Sequence, residues 1–259
     1  MRLLILLNIL AFTGVLVVNY LANALPLNGK NTGELSDLYP NLFTPAGFTF
    51  AIWGVIYLWL LAWVGAQFVS LFNAKLRARI EPGVQKAGYW FAATCVLNIA
   101  WIFAWHWQQV LLSVGIMILL LVSLWQLNTR AEVGFYKTDH LGKWLAHAPF
   151  GIYQGWITIA LIANVTALLV SIGWQGAGLS ESTWAVIMII IGTLLTNTIV
   201  RSYNNVFHGL AVAWALFGIF SKQKGAVEAG MLPVSTVALA GMVLILIWVV
   251  VRWQRWHAY

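Results

Sequence analysis

Along the chain, apolar runs alternate with short polar or Gly- and Pro-containing intervals. The runs cover residues 3–24, 48–71, 88–106, 109–128, 146–170, 184–200, 203–220 and 234–251. Each approaches the ~20 residues that a helix needs to cross a hydrocarbon core about 30 Å thick. A membrane β-strand alternates apolar and polar positions, because its two faces meet lipid and lumen; Leu111 to Leu124 shows no such alternation. The expected fold class is all-α, a polytopic membrane helix bundle of about eight transmembrane helices.

The intervals set the connections. Spans three and four are joined within a few residues around His106 to Gln108, so they form an antiparallel hairpin. Leu25 to Gly47 is the longest external connection, whereas Asn73 to Ala87 is basic. The segments Asn128 to Leu145 and Ser171 to Thr183 are polar or Gly-rich. Gly173 to Gly178 marks a seam between a first region, 1–170, with five spans, and a second, 171–259, with three. No repeat relates the two, which argues against an inverted-repeat transporter.

Composition agrees with a lipid environment. Of 259 residues, 61% are hydrophobic and 8% are charged, against roughly 25% charged in a soluble domain. The acids and bases fall between or just beyond the apolar runs, where they avoid the cost of burial in hydrocarbon. If the N-terminus is cytoplasmic, Arg2, Lys75, Arg77, Arg79, Lys86, Arg130, Lys137, Lys143, Arg201, Arg252 and Arg255 are inside, and only Lys30, Lys222 and Lys224 are outside. This bias predicts an even number of spans with both termini cytoplasmic. It also explains the net charge of +7 without nucleic acid, for which no basic stripe with interleaved aromatics is present. Arg2, the run from Leu3 to Val18 and Ala22-Asn23-Ala24 resemble a cleavable signal peptide. The run continues to Leu25, however, and is taken as a span.

Sixteen tryptophans change the picture further. Trp107, Trp144, Trp174, Trp184, Trp253 and Trp256 lie near span ends and suit the interfacial belt. Trp53, Trp59, Trp101, Trp156 and Trp214 lie deeper, where an indole N–H needs a partner. Trp53 and Tyr57 are four apart, and Asn98 and Trp101 three apart, so each pair shares a helix face. Tyr153 and Asn164 are eleven apart, three turns with a remainder of about 20°, so they share a stripe. Asn98, Asn164, Gln154 and Asn197 would be costly facing lipid and should point into the bundle. His106 is expected to be wet at a span end; His147 and His208 begin spans. Any of the three could ligate a haem iron, though their spacing does not require it. Cys95 stands alone, which excludes a disulfide framework and a thiolate metal site. No metalloprotease, nucleophile-elbow or buried-carboxylate-pair pattern points to catalysis.

Around these residues the chain resembles the TspO/MBR family, the tryptophan-rich sensory proteins related to the mitochondrial translocator protein. The resemblance rests on Pro45 followed by Trp53-Gly54-Val55-Ile56-Tyr57, on Leu97-Asn98-Ile99-Ala100-Trp101, and on Tyr153-Gln154-Gly155-Trp156-Ile157-Thr158 with Asn164 downstream. It covers roughly residues 1–170; the last three spans have no counterpart in the five-helix family. The loop before span two carries Tyr39-Pro40 and Phe43-Thr44-Pro45 in place of paired Trp and a double Pro, and Pro149 lies four residues before Tyr153.

The resemblance implies a membrane sensor or transporter-like protein that binds a hydrophobic aromatic molecule, a tetrapyrrole (porphyrin or haem) or a sterol-like lipid. The pocket would be lined by Trp53, Tyr57, Asn98, Trp101, Tyr153, Trp156 and Asn164. With no catalytic or metal-binding pattern in the sequence, no catalytic residue, no metal and no cofactor beyond a tetrapyrrole held as ligand are expected. The expected partners are membrane lipid, the small hydrophobic ligand and a second copy of the chain. A multi-pass protein of a bacterial cell membrane is the expected setting. A facilitative carrier of a lipophilic solute and a structural membrane protein without ligand are the alternatives.

Overall fold

The computed structural model describes residues 1–25, 27–135, 140–225 and 233–258, and each of the eight apolar runs is a helix in it. In chain order the elements are α1 (Arg2–Asn23), a short α2 (Thr32–Asp37), α3 (Ile52–Ser70), α4 (Ala74–Ala87), α5 (Trp90–His106), α6 (Val110–Arg130), α7 (Ala148–Ser171), α8 (Glu181–Tyr203), α9 (Val206–Gln223) and α10 (Val234–Ala258). Lys137, Asp139 and Glu228, placed in connections by the sequence, lie outside the described residues, as do the side chains of Arg255 and Trp256.

Among the described residues, six helices are long and apolar enough to cross a membrane alone, and a seventh span arises if α4 and α5 count as one broken crossing. The expected eight is therefore reduced by two marginal elements. Helix α5 has 17 residues, about 25 Å at 1.5 Å per residue. Helix α9 has 18 and carries His208 near one end and Lys222 at the other. Both still pack as full members of the bundle, and the whole is a multi-pass integral membrane protein.

The basic interval 73–87 is itself mostly helix. Asn73 caps α4 by accepting from the Leu76 N–H at 3.0 Å, and α4 meets α5 at a 61° bend. Gly88 sits at that bend with φ +54°, a conformation other side chains resist. Ile80, Val84 and Ala87 face inward while Lys75 and Arg79 stay exposed, so α4 is an amphipathic shelf rather than a loop. The connection between α1 and α3 is also built. Asn31 and Glu34 form a reciprocal capping box at the start of α2, and a single helical turn, Gly47–Ala51, leads into α3.

Helix α7 is the axis of the molecule. Every residue from Ala148 to Ile159 is buried, since α3, α6 and α9 all pack around it. The α7–α9 contact is close because Gly155 presents no side chain. A Cβ there would lie 2.8 Å from His208 Cα, and small residues are what let membrane helices approach so nearly. The two regions separated by the Gly173–Gly178 seam thus share one bundle, with α9 against α7 and α10 against α8 and α9.

Candidate functional site

Four helices deliver polar groups to one point. Asn98 of α5 is fully buried, and its Nδ2 donates to Tyr153 Oη of α7 at 3.2 Å and to Tyr57 Oη of α3 at 3.3 Å. Its Oδ1 accepts from Asn19 Nδ2 of α1 at 2.9 Å. Tyr57 Oη in turn donates to Asn19 Oδ1 at 2.9 Å. A hydrocarbon surround offers no competing water, so such a closed set fixes the mutual rotation of its helices.

A second polar pair lies further along α7. Asn164 Oδ1 accepts from Trp101 Nε1 at 3.0 Å, and Asn164 Nδ2 donates to Ser113 Oγ of α6 at 2.9 Å. Between the two sets the aromatic rings meet. Trp53 stacks on Tyr57 with centroids 5.2 Å apart and stands edge-on to Tyr153 at 5.9 Å and to Trp156 at 6.1 Å. Trp101 stacks on Trp105 at 5.9 Å, and Phe50 meets Trp156 edge-on at 5.8 Å. Each such pair contributes roughly 0.5–1.5 kcal/mol beyond its buried area.

These rings line a cavity of about 40 Å³. Its walls include Trp53, Trp101, Trp105, Trp156 and Asn164, and the connection between α1 and α3 closes it with Thr32, Ser36, Thr44, Pro45 and Phe50. The seven residues singled out in the sequence therefore come together in two layers. Trp53, Trp101, Trp156 and Asn164 face the cavity, whereas Tyr57, Asn98 and Tyr153 form the hydrogen-bonded layer behind it. Thr32, Phe50 and Trp53 also border a recess of about 310 Å³ beside α1, which Asn19 and Tyr57 line from the other side. Trp53 is a partition between the two spaces.

One polar atom in the cavity wall has no partner. The Trp156 indole is buried at 3% exposure, and its Nε1–H meets no acceptor. A buried donor left unmade costs about 1–3 kcal/mol. None of His106, His147 and His208 lines the cavity. His106 is fully buried, with Nδ1 2.8 Å from the Ile102 carbonyl, rather than wet as its position at a span end suggested. The connection that folds over that end, tied to it by Asn28 donating to the His106 carbonyl at 2.9 Å, is the cause.

Asn19, Ser113, Phe50 and Trp105 belong to the site and were not singled out in the sequence. Asn19 carried the same signal as Asn98, an amide deep in an apolar run, and could have been found by it. Ser113 and Phe50 carry no such signal. Of the deeper tryptophans, Trp59 stacks on Trp144 at 5.8 Å instead, and Trp214 donates to the Thr49 carbonyl at 2.9 Å.

A family model described as TSPO-like protein matches residues 5–251. That match runs through most of the second region, as far as residue 251, as well as the first. No curated protein and no solved structure matches the chain.

Proposed function

The chain belongs to the TSPO-like protein family, and from that premise we propose that it is a membrane sensor or carrier-like protein that binds a flat hydrophobic aromatic molecule, of the tetrapyrrole or sterol-like class, between α1, α3, α5 and α7. The single observation that carries this reading is the unpartnered Trp156 N–H in a wall dominated by indole, phenyl and aliphatic side chains. A ligand that stacks on the rings and offers an oxygen or ring nitrogen to that donor removes its desolvation penalty.

The cavity volume bears on how the ligand enters. About 40 Å³ holds only a few waters at about 10–15 Å³ each on this measure, whereas ligand sites of this kind run to roughly 300–1,000 Å³. Rotation of the Trp53 indole joins the cavity to the 310 Å³ recess beside α1, and lifting of residues 32–50 opens it further. Binding is thus coupled to movement of the external connection, as a sensor requires. The ligand is held and released unchanged in this reading, with both termini cytoplasmic, as the distribution of basic residues favours.

The test is a titration of the purified chain with protoporphyrin, followed by tryptophan fluorescence. Saturable quenching is expected, and Trp156→Phe, which keeps a ring and removes the N–H, should weaken it by about 3- to 10-fold, the worth of one hydrogen bond near 1 kcal/mol. Equal quenching in both proteins would remove Trp156 from the account, and absence of saturation would remove the pocket. Uptake of the same porphyrin into sealed vesicles separates a carrier, which accumulates it, from a sensor, which does not.

A further inference from the structure

Helix α8 touches α7 at Gly192, whose missing side chain admits the δ-methyls of Ile159 and Ile162. On either side of that crossing the structure holds a cleft. One, of about 470 Å³, is lined mainly by apolar side chains of α7, α8 and the connection between them, and by residues 40–43. The other, of about 330 Å³, lies toward the opposite end, between α6, α7 and the turn from α8 into α9. Its chemistry is different.

The floor of this second cleft is a set of buried amides. Asn205 Nδ2 donates to Gln154 Oε1 at 3.3 Å and to Asn128 Oδ1 at 3.4 Å. Asn128 Nδ2 is occupied by the carbonyls of Leu124 at 2.8 Å and Phe150 at 3.2 Å, and Asn205 Oδ1 caps α9 through the His208 N–H at 3.2 Å. Gln154, at 2% exposure, is left over. Among the described residues its Nε2 has no hydrogen-bond acceptor, although its Oε1 is used, and it faces the cleft. An unused amide donor on the floor of a cleft suits an oxygen acceptor.

Above that floor the walls are Trp125, Val133, Ile199 and the Tyr203 ring, which stands edge-on to Trp125 at 5.4 Å. At the rim Glu132 is paired with Lys86, so the mouth carries both charges and selects against neither sign strongly. A donor at the bottom, apolar walls and a neutralised rim define an uncharged amphiphile. We propose that this cleft is a second ligand site, one that takes a hydroxyl- or ester-bearing molecule with its oxygen on Gln154 Nε2 and its apolar chain along Trp125 and Ile199. The same chemistry comes from two sources, a glycerolipid of the bilayer or a dissolved aliphatic alcohol.

Photolabelling of the full chain in lipid nanodiscs tests this, with a diazirine-tagged diacylglycerol in one arm and a diazirine-tagged octanol in the other. Adducts mapped by mass spectrometry should concentrate within residues 125–135 and 199–205 for at least one probe; diacylglycerol labelling identifies the bilayer source and labelling by octanol alone the dissolved one. Gln154→Leu should lower the adduct yield there by about fivefold, a change of the size one hydrogen bond commands. Thr129→Trp, at an exposed position on the rim, should block the cleft without disturbing the interior, and it carries the test if Gln154→Leu does not fold. The porphyrin affinity obtained from the titration should be unchanged in Thr129→Trp, whatever the added indole does to the signal amplitude, so a failure here is distinguishable from a failure of the aromatic cavity. Adducts spread evenly over the lipid-facing helices, or yields equal in wild type and both variants, overturn the proposal.

Discussion

Single residues in this protein matter through the partners they leave behind. Asn98 serves three neighbours at once; Asn98→Ala takes from Tyr153 Oη the bond it receives from Asn98 and from Asn19 and Tyr57 one bond each, though those two keep the bond between them. A loss of about 1–3 kcal/mol in stability is expected, read as a lowered midpoint of thermal unfolding in detergent. The amide pair at the other end of α1 shows the reverse asymmetry. Asn8 Nδ2 donates to Gln67 Oε1 at 2.9 Å, yet Asn8 Oδ1 and Gln67 Nε2 are both buried and unpartnered. Replacing both by leucine should therefore be near neutral or stabilising, whereas either replacement alone should destabilise by about 1 kcal/mol or more. A double-mutant cycle on the unfolding midpoint checks this, and additive losses would contradict it. At this scale much of the site was legible in the sequence, because an amide or indole inside an apolar run announces its need for a partner. Which partner it takes was not legible: nothing in the spacing of Asn98 distinguishes Tyr153 from Asn19 as its neighbour.

Helix α9 is the element whose role emerges from its contacts rather than its composition. It grips the connection that covers the aromatic cavity. The Ala46 N–H donates to the Gly218 carbonyl at 3.2 Å, Trp214 Nε1 to the Thr49 carbonyl at 2.9 Å, and Gln223 Nε2 to the Leu42 carbonyl at 3.3 Å. Phe48 stands edge-on to Trp214 and Phe217, at 5.5 and 5.9 Å. The Lys222–Asp37 pair at 3.5 Å is too exposed to add much. Gly218 is the point of closest approach, where a Cβ would lie 2.7 Å from Thr49 Cγ2 and 2.9 Å from Pro45 Cβ. Gly218→Leu should consequently push residues 45–49 away from α9. Porphyrin association is expected to quicken by about 3- to 10-fold, the effect of roughly 1 kcal/mol on a closed state, and stopped-flow quenching measures it. An unchanged rate would mean that entry does not require this connection to move. The sequence offered Trp214 only as a deep tryptophan in search of a partner, since a contact 165 residues apart leaves no trace in local periodicity.

At the scale of the whole molecule, the eight apolar runs make one bundle around α7. The proposed topology, with both termini cytoplasmic as the basic residues favour, predicts that reporter fusions at the N- and C-termini both report the cytoplasm and that a cysteine introduced at Lys30 reacts with an impermeant reagent from outside only. Cys95 is buried and gives a quiet background for that measurement. Labelling of the Lys30 position from the inside would reverse the orientation. Hydrophobic run length and the absence of two-residue alternation were enough to determine the fold class, because a chain in lipid must satisfy its backbone within each segment and has few ways to do so. Charge placement determined where the connections fall, and amides and indoles in apolar runs marked which helix faces turn inward. Tertiary structure alone decided the rest: that α4 is a bent shelf, that the cavity is small, that Trp156 lacks an acceptor while Trp101 has one, and that α9 holds the cover. Those outcomes depend on which side chain arrives at a shared point from another helix, and a one-dimensional pattern fixes the face of a helix without fixing what faces it.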